Sequence, residues 1–173
     1  MEKGEDELKI YTYPDPVLRS RAEEIKDIDE KTLVLADRMI EIMYAAPGIG
    51  LAANQVGDLN RIIVFDSNPE EQGRAPSVII NPEIVSAEGK VIHEEACLSV
   101  IDFAADVARS LRVQVKGVDR NGNPVNMEAE GLLAVCLQHE IDHLNGALFI
   151  DHVSSLKRAM YKKKLKKMLK RKG

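Results

Sequence analysis

The segment Gln138-His139-Glu140-Ile141-Asp142-His143 constrains this chain more than any other, because it sets two histidines four apart with a glutamate after the first. That spacing is the HExxH pattern of mononuclear metallohydrolases. On an α-helix four residues advance about 400°, so both imidazoles leave one face a turn apart and can close on one ion ~2 Å from each nitrogen. Glu140 then projects beside the ion, too near in sequence for a comfortable fellow ligand but placed to take a proton from water held there. A histidine pair can also be a chance match on a solvated face. Against that, the preceding run Gly131-Leu132-Leu133-Ala134-Val135-Cys136-Leu137 is apolar and free of helix breakers. It predicts a largely buried helix ending at Asn145 and Gly146, where unpaired histidines would be costly.

A catalytic site of this kind usually holds three protein ligands and leaves one position open. The extended HExxHxxGxxH pattern places Gly146 correctly, but Phe149 stands where its third histidine belongs, which excludes the metzincin proteases. Candidates of suitable softness are Cys97, Cys136, His93 and His152, besides many carboxylates. Cys136 lies three residues before His139 on nearly the same helical face and reads as pocket wall. Cys97 sits far upstream in Glu94-Glu95-Ala96-Cys97-Leu98-Ser99-Val100, where a lone cysteine is more often a small buried hydrophobe.

Three separated segments, Gly48-Ile49-Gly50-Leu51-Ala52-Ala53-Asn54-Gln55, Glu95-Ala96-Cys97-Leu98-Ser99 and the hexapeptide at 138–143, resemble the three signature motifs of the peptide deformylases, in family order. The similarity extends through Tyr13-Pro14-Asp15-Pro16-Val17-Leu18-Arg19 and Val107-Ala108-Arg109, covering about residues 8 to 155. The resemblance implies a metal, Fe²⁺ with Zn²⁺, Ni²⁺ or Co²⁺ able to substitute, held by Cys97, His139 and His143. It implies Glu140 as acid/base, and the Gln55 amide with the Leu98 backbone N–H as donors to the developing oxyanion. The methionine pocket maps onto Ile49, Leu132, Val135, Cys136 and the flank of His139, with the backbone at Ile49 and Gly50 pairing with substrate as an added strand. Glu95 and Arg109 correspond to a pair bracing the metal loop. The implied reaction removes the formyl group from the N-terminal methionine of nascent proteins, releasing formate. The alternatives are a HExxH peptidase acting on internal bonds and a catalytically silent relative that binds ribosomes. Two positions depart from the family pattern: Ala96 stands for the usual glycine before the cysteine, and Ile101 for the usual proline.

The rest of the chain reads as one α+β domain, with small antiparallel or mixed sheets packed around the central HExxH helix. Catalysis is expected within residues 1–155, and residues 156–173 read as a basic helical extension. Leu33, Ala36, Ile40 and Met43 predict a helix near 30–45, behind the capping candidates Asp27 and Asp29. Strand-rich runs fall at 61–65, 78–81, 83–86, 90–93 and 111–118, and Asn121-Gly122 signals a hairpin into 124–130. Residues 67–76 read as a polar loop. The charged opening Met1–Glu7 and the want of a long apolar run point to no signal peptide, no membrane span and a cytoplasmic protein with reduced thiols. The net charge of −4 hides a polarised tail: residues 157–173 carry ten Lys or Arg and no acid, leaving 14 basic against 28 acidic residues before them. Leu156, Met160, Leu165, Met168 and Leu169 mark an apolar stripe on that tail. A ribosomal contact through RNA is the partner it suggests.

Overall fold

The computed structural model describes residues 7–173, and the charged opening segment lies, apart from Glu7, outside the described residues. The first long helix, α1 (Glu30–Ala45), begins where the Asp29 carboxylate accepts the Thr32 N–H at 2.9 Å. That bond satisfies one of the donors a helix start leaves free. Seven strands and two more helices follow: β1 (Gly50–Ala52), β2 (Ile62–Asp66), β3 (Pro76–Glu88), β4 (Val91–Cys97), β5 (Val100–Arg109), β6 (Arg112–Val118), β7 (Pro124–Glu130), α2 (Leu132–Leu144) and α3 (Ser155–Lys172).

The strands form a five-stranded sheet in the order β1-β2-β3-β6-β7 and a separate β4-β5 pair, all antiparallel. The mixed alternative is thereby corrected. Short connections such as the β6–β7 turn can join only antiparallel neighbours, and the one parallel contact among the described residues is an isolated bridge between Glu23 and Asn60. Alternation along β2 explains why every one of its residues is buried: Ile62 and Val64 pack with Met39 and Met43 of α1, whereas Ile63 and Phe65 pack with Leu137 and Ile141 of α2. The large sheet therefore lies between the two helices, and α2 is enclosed rather than superficial.

Three expectations change. The runs 78–81 and 83–86 belong to one strand, β3, whose pairing with β6 shifts between Ile80 and Glu83. Asn81 takes φ 55° there and Pro82 follows, so the proline sits at a bulge, one of the few sheet positions that tolerates it. The Asn81 amide spans both backbone groups of Ile25, at 2.9 and 2.8 Å.

The sequence reading has no strand at 100–109, where β5 runs. Ala96 pairs with Ala104 but Cys97 pairs with Val100, so residues 101–103 bulge out and shift the register, with Asp102 at φ 56°. The third change concerns α3, whose proposed stripe is mostly in solvent: Leu156, Met160 and Leu169 are 70%, 64% and 50% exposed. Leu165 of that stripe is buried and anchors the helix together with Tyr161, four residues before it, whose ring lies 4.7 Å from Phe103. Leu156 and Met160 lie roughly 120–160° round the helix from the centre of that face.

Candidate metal centre and active site

Ten of the thirteen residues of α2 are buried, including Gln138, His139, Glu140 and His143. A helix buried on nearly all sides has no wet face for its polar groups, so each must find a partner or serve a ligand. Gln138 finds its partners in backbone. Its amide donates to the Ser110 carbonyl (2.9 Å) and the Ala134 carbonyl (3.0 Å), and its oxygen accepts the Ser110 N–H (3.0 Å). This clamps α2 to the end of β5.

His139 donates through Nδ1 to Glu95 Oε1 at 2.8 Å. Glu95 in turn accepts a bidentate pair from Arg109, at 2.8 and 2.9 Å, and the third arm of that guanidinium reaches Asp142 at 2.6 Å. The Arg109 and Glu95 side chains are 5% and 4% exposed, which removes their reading as surface charges. Burial pushes the Glu95 carboxyl up, but the hydrogen bonds from Arg109 and His139 outweigh it and bring its pKa down to about 2. A proton held on Nδ1 by this carboxylate leaves the His139 Nε2 lone pair pointing away from Glu95.

That lone pair meets the other two candidate ligands. His139 Nε2 lies 3.2 Å from His143 Nε2, and His143 Nε2 lies 3.3 Å from Cys97 Sγ. All three ligand atoms lie within 4.8 Å of one another. Donors ~2.0–2.3 Å from one tetrahedral ion stand roughly 3.3–3.7 Å apart, so the observed spacing fits a single metal. Burial also drives His143 well below the ordinary imidazole pKa, toward the neutral form that ligates. For His139, burial pulls the pKa down, but the hydrogen bonds it donates to Cys97 and Glu95 outweigh burial and raise it, so a cation arriving there displaces a proton. Of the four soft candidates for third ligand, only Cys97 converges on the histidines. Cys136 has its thiol pushed well up by burial and points at the Ile49 carbonyl (3.6 Å), His152 pairs with Asp142 at 2.9 Å, and His93 lines the adjoining cavity.

The cavity has a volume of about 370 Å³. Leu132, Val135 and Cys136 of α2 form its floor, Pro47–Gly50 one wall and His93–Leu98 the other, with His139 and Glu140 at its inner end. Its first wall is set by Gly50: a Cβ there would stand 2.7 Å from Cys136 Sγ and 2.9 Å from the Glu140 side chain. Only glycine lets β1 approach α2 so closely. Burial pushes the Glu140 carboxyl up to about 7, and its Oε2 has no hydrogen-bond partner. The Gln55 oxygen accepts the Ala52 N–H (3.0 Å), which turns its NH₂ toward Ser99 Oγ (3.1 Å) and Cys97 Sγ (3.6 Å). Leu98 lies on the cavity wall next to Cys97.

A family model described as polypeptide deformylase matches residues 7–159. The chain belongs to the polypeptide deformylase family. It is 54% identical over 159 residues to a peptide deformylase of Thermodesulfovibrio yellowstonii, covering 92% of this chain and 96% of that one. It is also 54% identical over 165 residues to one of Mesorhizobium japonicum, covering 95% and 94%. Among solved structures, a peptide deformylase from Legionella pneumophila superposes with TM-score 0.87 at 45% identity, over 95% of this chain and 96% of that one. A Synechococcus elongatus deformylase in complex with actinonin does so with TM-score 0.85 at 40% identity, over 93% and 89%.

Both departures from the family pattern lie in the metal loop. Asn81 and Asp102 are the described non-glycine residues with positive φ, so Ala96 keeps an ordinary backbone and its methyl imposes no strain. Ile101 opens the three-residue bulge that returns β5 to its partner. Sequence reasoning gives no role to two side chains near the site. Ser99 is fully buried beneath the Gln55 amide, and Asp142 joins Arg109 to His152. Ser99 and Asp142 stand inside segments already singled out, so proximity to the motifs was the available signal.

Proposed function

We propose that this chain is a metal-dependent hydrolase that removes the N-formyl group from the N-terminal methionine of newly made proteins and releases formate. The observation that carries the reading is the convergence of Cys97, His139 and His143 beside a buried, unpartnered Glu140 at the inner end of the cavity. These three residues would hold one divalent ion, with Fe²⁺ the proposed resident and Zn²⁺, Ni²⁺ or Co²⁺ able to substitute. Such an ion supplies Lewis-acid polarisation of the formyl carbonyl and acidifies a water.

The chain's own residues do the rest. β1 is an edge strand of the large sheet, so the backbone at Ile49 and Gly50 is positioned to pair with an extended peptide. Leu132, Val135 and Cys136 receive the methionine side chain. The Gln55 NH₂ and the Leu98 N–H donate to the formyl oxygen as it gains charge; an amide is suited to this because it donates at every working pH. Glu140 takes a proton from the attacking water as the new C–O bond forms. It returns that proton to the amine nitrogen as the C–N bond breaks, leaving formate and a free N-terminus. A carboxyl with its pKa near 7 can do both. Glu95 and Arg109 hold His139 in orientation.

Residues 1–155 form the proposed catalytic domain, with 156–173 as its extension. We propose the cytoplasm as its site of action. The ten basic residues of the tail suit electrostatic attachment to ribosomal RNA. Among the described residues no helix is long and apolar enough to cross a membrane. Relatives named as peptide deformylases make the internal-bond peptidase and the silent relative less favoured. Iron-loaded protein kept anaerobic should release formate from formyl-Met peptides and leave unformylated peptides intact. Internal cleavage or no formate would sink the proposal. Loss of residues 156–173 should reduce ribosome co-sedimentation; unchanged sedimentation would remove the ribosomal contact.

A further inference from the structure

Gln55 stands in a turn of 3₁₀ helix, Ala53–Val56, directly after β1, whereas Leu98 and Ser99 form the turn between β4 and β5. β1 belongs to the five-stranded sheet and the turn to the separate β4-β5 pair, so no ladder hydrogen bond fixes one of these segments against the other. The joint is made by the chain ahead of α1. The Tyr11 N–H donates to the Gln55 carbonyl and the Tyr13 N–H to the Ser99 carbonyl, both at 2.7 Å. One side-chain bond completes it: the Gln55 NH₂ donates to Ser99 Oγ at 3.1 Å, with Ser99 fully buried and Gln55 1% exposed.

A primary amide offers one acceptor oxygen and two N–H groups. The Gln55 oxygen is committed to the Ala52 N–H at 3.0 Å, and a flipped amide would set two donors face to face. Ala52 therefore fixes which end of the amide is which. A hydroxyl accepts as readily as it donates, so Ser99 takes one amide hydrogen and fixes the tilt of the NH₂. The other N–H is left on the side of Cys97 Sγ, 3.6 Å away, where the metal ligands converge. Ser99 itself does not line the cavity. Its backbone N–H donates to Cys97 Sγ at 3.4 Å, a bond that survives replacement of the side chain. An oxyanion donor is worth most when it is aimed before the charge develops, and a donor that must be re-aimed gives up part of its effect.

We propose that Ser99 is a positioning residue for deformylation, whose hydroxyl holds the Gln55 amide so that its remaining N–H faces the formyl oxygen. Tyr11 and Tyr13 act as the strap that keeps the two segments at the separation this bond needs. The inference rests on the deformylase reading above, with Gln55 as oxyanion donor. Four metal-loaded full-length chains test it: the parent, Ser99→Ala, Gln55→Ala and the double variant. Each is assayed for formate release from one formyl-Met tripeptide, with metal content measured beside the kinetics.

Ser99→Ala should keep its metal and a KM within about twofold of the parent, and lose about tenfold in kcat, the size expected for one buried hydrogen bond. An interaction made in the transition state alone lowers kcat and kcat/KM together. Gln55→Ala should lose about 10²–10³ in kcat. In that background Ser99→Ala should cost less than about twofold more, because the hydroxyl has no amide left to hold. A hydroxyl that merely supports the loop would cost the same tenfold with or without the amide, and that additive result overturns the inference. So does a Ser99→Ala chain with unchanged kcat, a loss confined to KM, or a Gln55→Ala chain as fast as the parent. If Ser99→Ala does not fold, Ser99→Gly carries the comparison. No formate from the parent would instead overturn the deformylase reading.

Discussion

Arg109→Met tests the buried charge network on which the His139 orientation depends. Arg109 makes three charged hydrogen bonds, two to Glu95 and one to Asp142, with its own side chain 5% and that of Glu95 4% exposed. Methionine keeps most of the packing volume but strands the Glu95 carboxylate with His139 as its remaining partner. Removing one member of a buried pair costs about 3–5 kcal/mol. Linkage offers an independent measure. The Glu95 carboxyl is held at about 2 against an ordinary value of 4.5, and at 1.36 kcal/mol per pKa unit that depression contributes about 3 kcal/mol at neutral pH. Because the folded pKa is depressed, this stability is present above the ordinary carboxylate value and lost as pH falls from about 4.5 toward 2. The variant lacks most of it at every pH. Urea unfolding of chelator-treated parent and variant should therefore differ by about 3–5 kcal/mol at pH 7, or roughly 6–20 °C in melting temperature for a chain of this size. The difference should shrink below pH 4.5. A difference under 1 kcal/mol at pH 7, or one equally large at pH 3, would refute the reasoning.

Three further outcomes are expected. Glu140→Gln should keep its fold and its metal but lose at least a hundredfold in kcat for formate release, the range for a missing general base; metal analysis beside the kinetic assay separates this from simple metal loss. Gly50→Ala should destabilise by about 1–3 kcal/mol through overpacking against Cys136 and Glu140, and should raise KM for formyl peptides as β1 is pushed outward; wild-type melting and kinetics would show that the close approach has slack. Cys97→Ser should retain far less metal after dialysis. It should also lose most of the melting-temperature rise that added metal gives the parent, a stabilisation of about 2.7 kcal/mol at a hundred times the dissociation constant. An unchanged metal-induced shift would show that the thiolate is not a ligand.

Features encoded in short-range spacing were legible before any coordinates. The 3.6-residue period and the absence of breakers marked α1 and α2, and Asn121-Gly122 marked the β6–β7 turn. The pairing of two histidines on one helical face needed nothing beyond the pitch of a helix. Features that depend on strand register were not. The bulge at residues 101–103 shifts the pairing of β4 with β5, the bulge at Asn81 and Pro82 divides β3 to the eye, and both are decided by what packs around them. The stripe on α3 held at Leu165 but not at Leu156, Met160 or Leu169, for a related reason. An apolar residue on a helix shows where burial is possible, whereas Tyr161 is buried because Phe103 and Leu165 stand beside it.

The site divides along the same line. The hexapeptide at 138–143 determined by itself that two imidazoles and a carboxylate leave one helix together, since that follows from local backbone geometry. The motif resemblance named Cys97 and Gln55 as their companions. Tertiary structure alone decided that Cys97 reaches within 3.3 Å of His143, that Arg109 and Glu95 share one buried network with Asp142, and that Glu140 is dry enough to raise its pKa to about 7. Distance, burial and dielectric belong to the packed arrangement of segments far apart in the chain, and no local pattern encodes them.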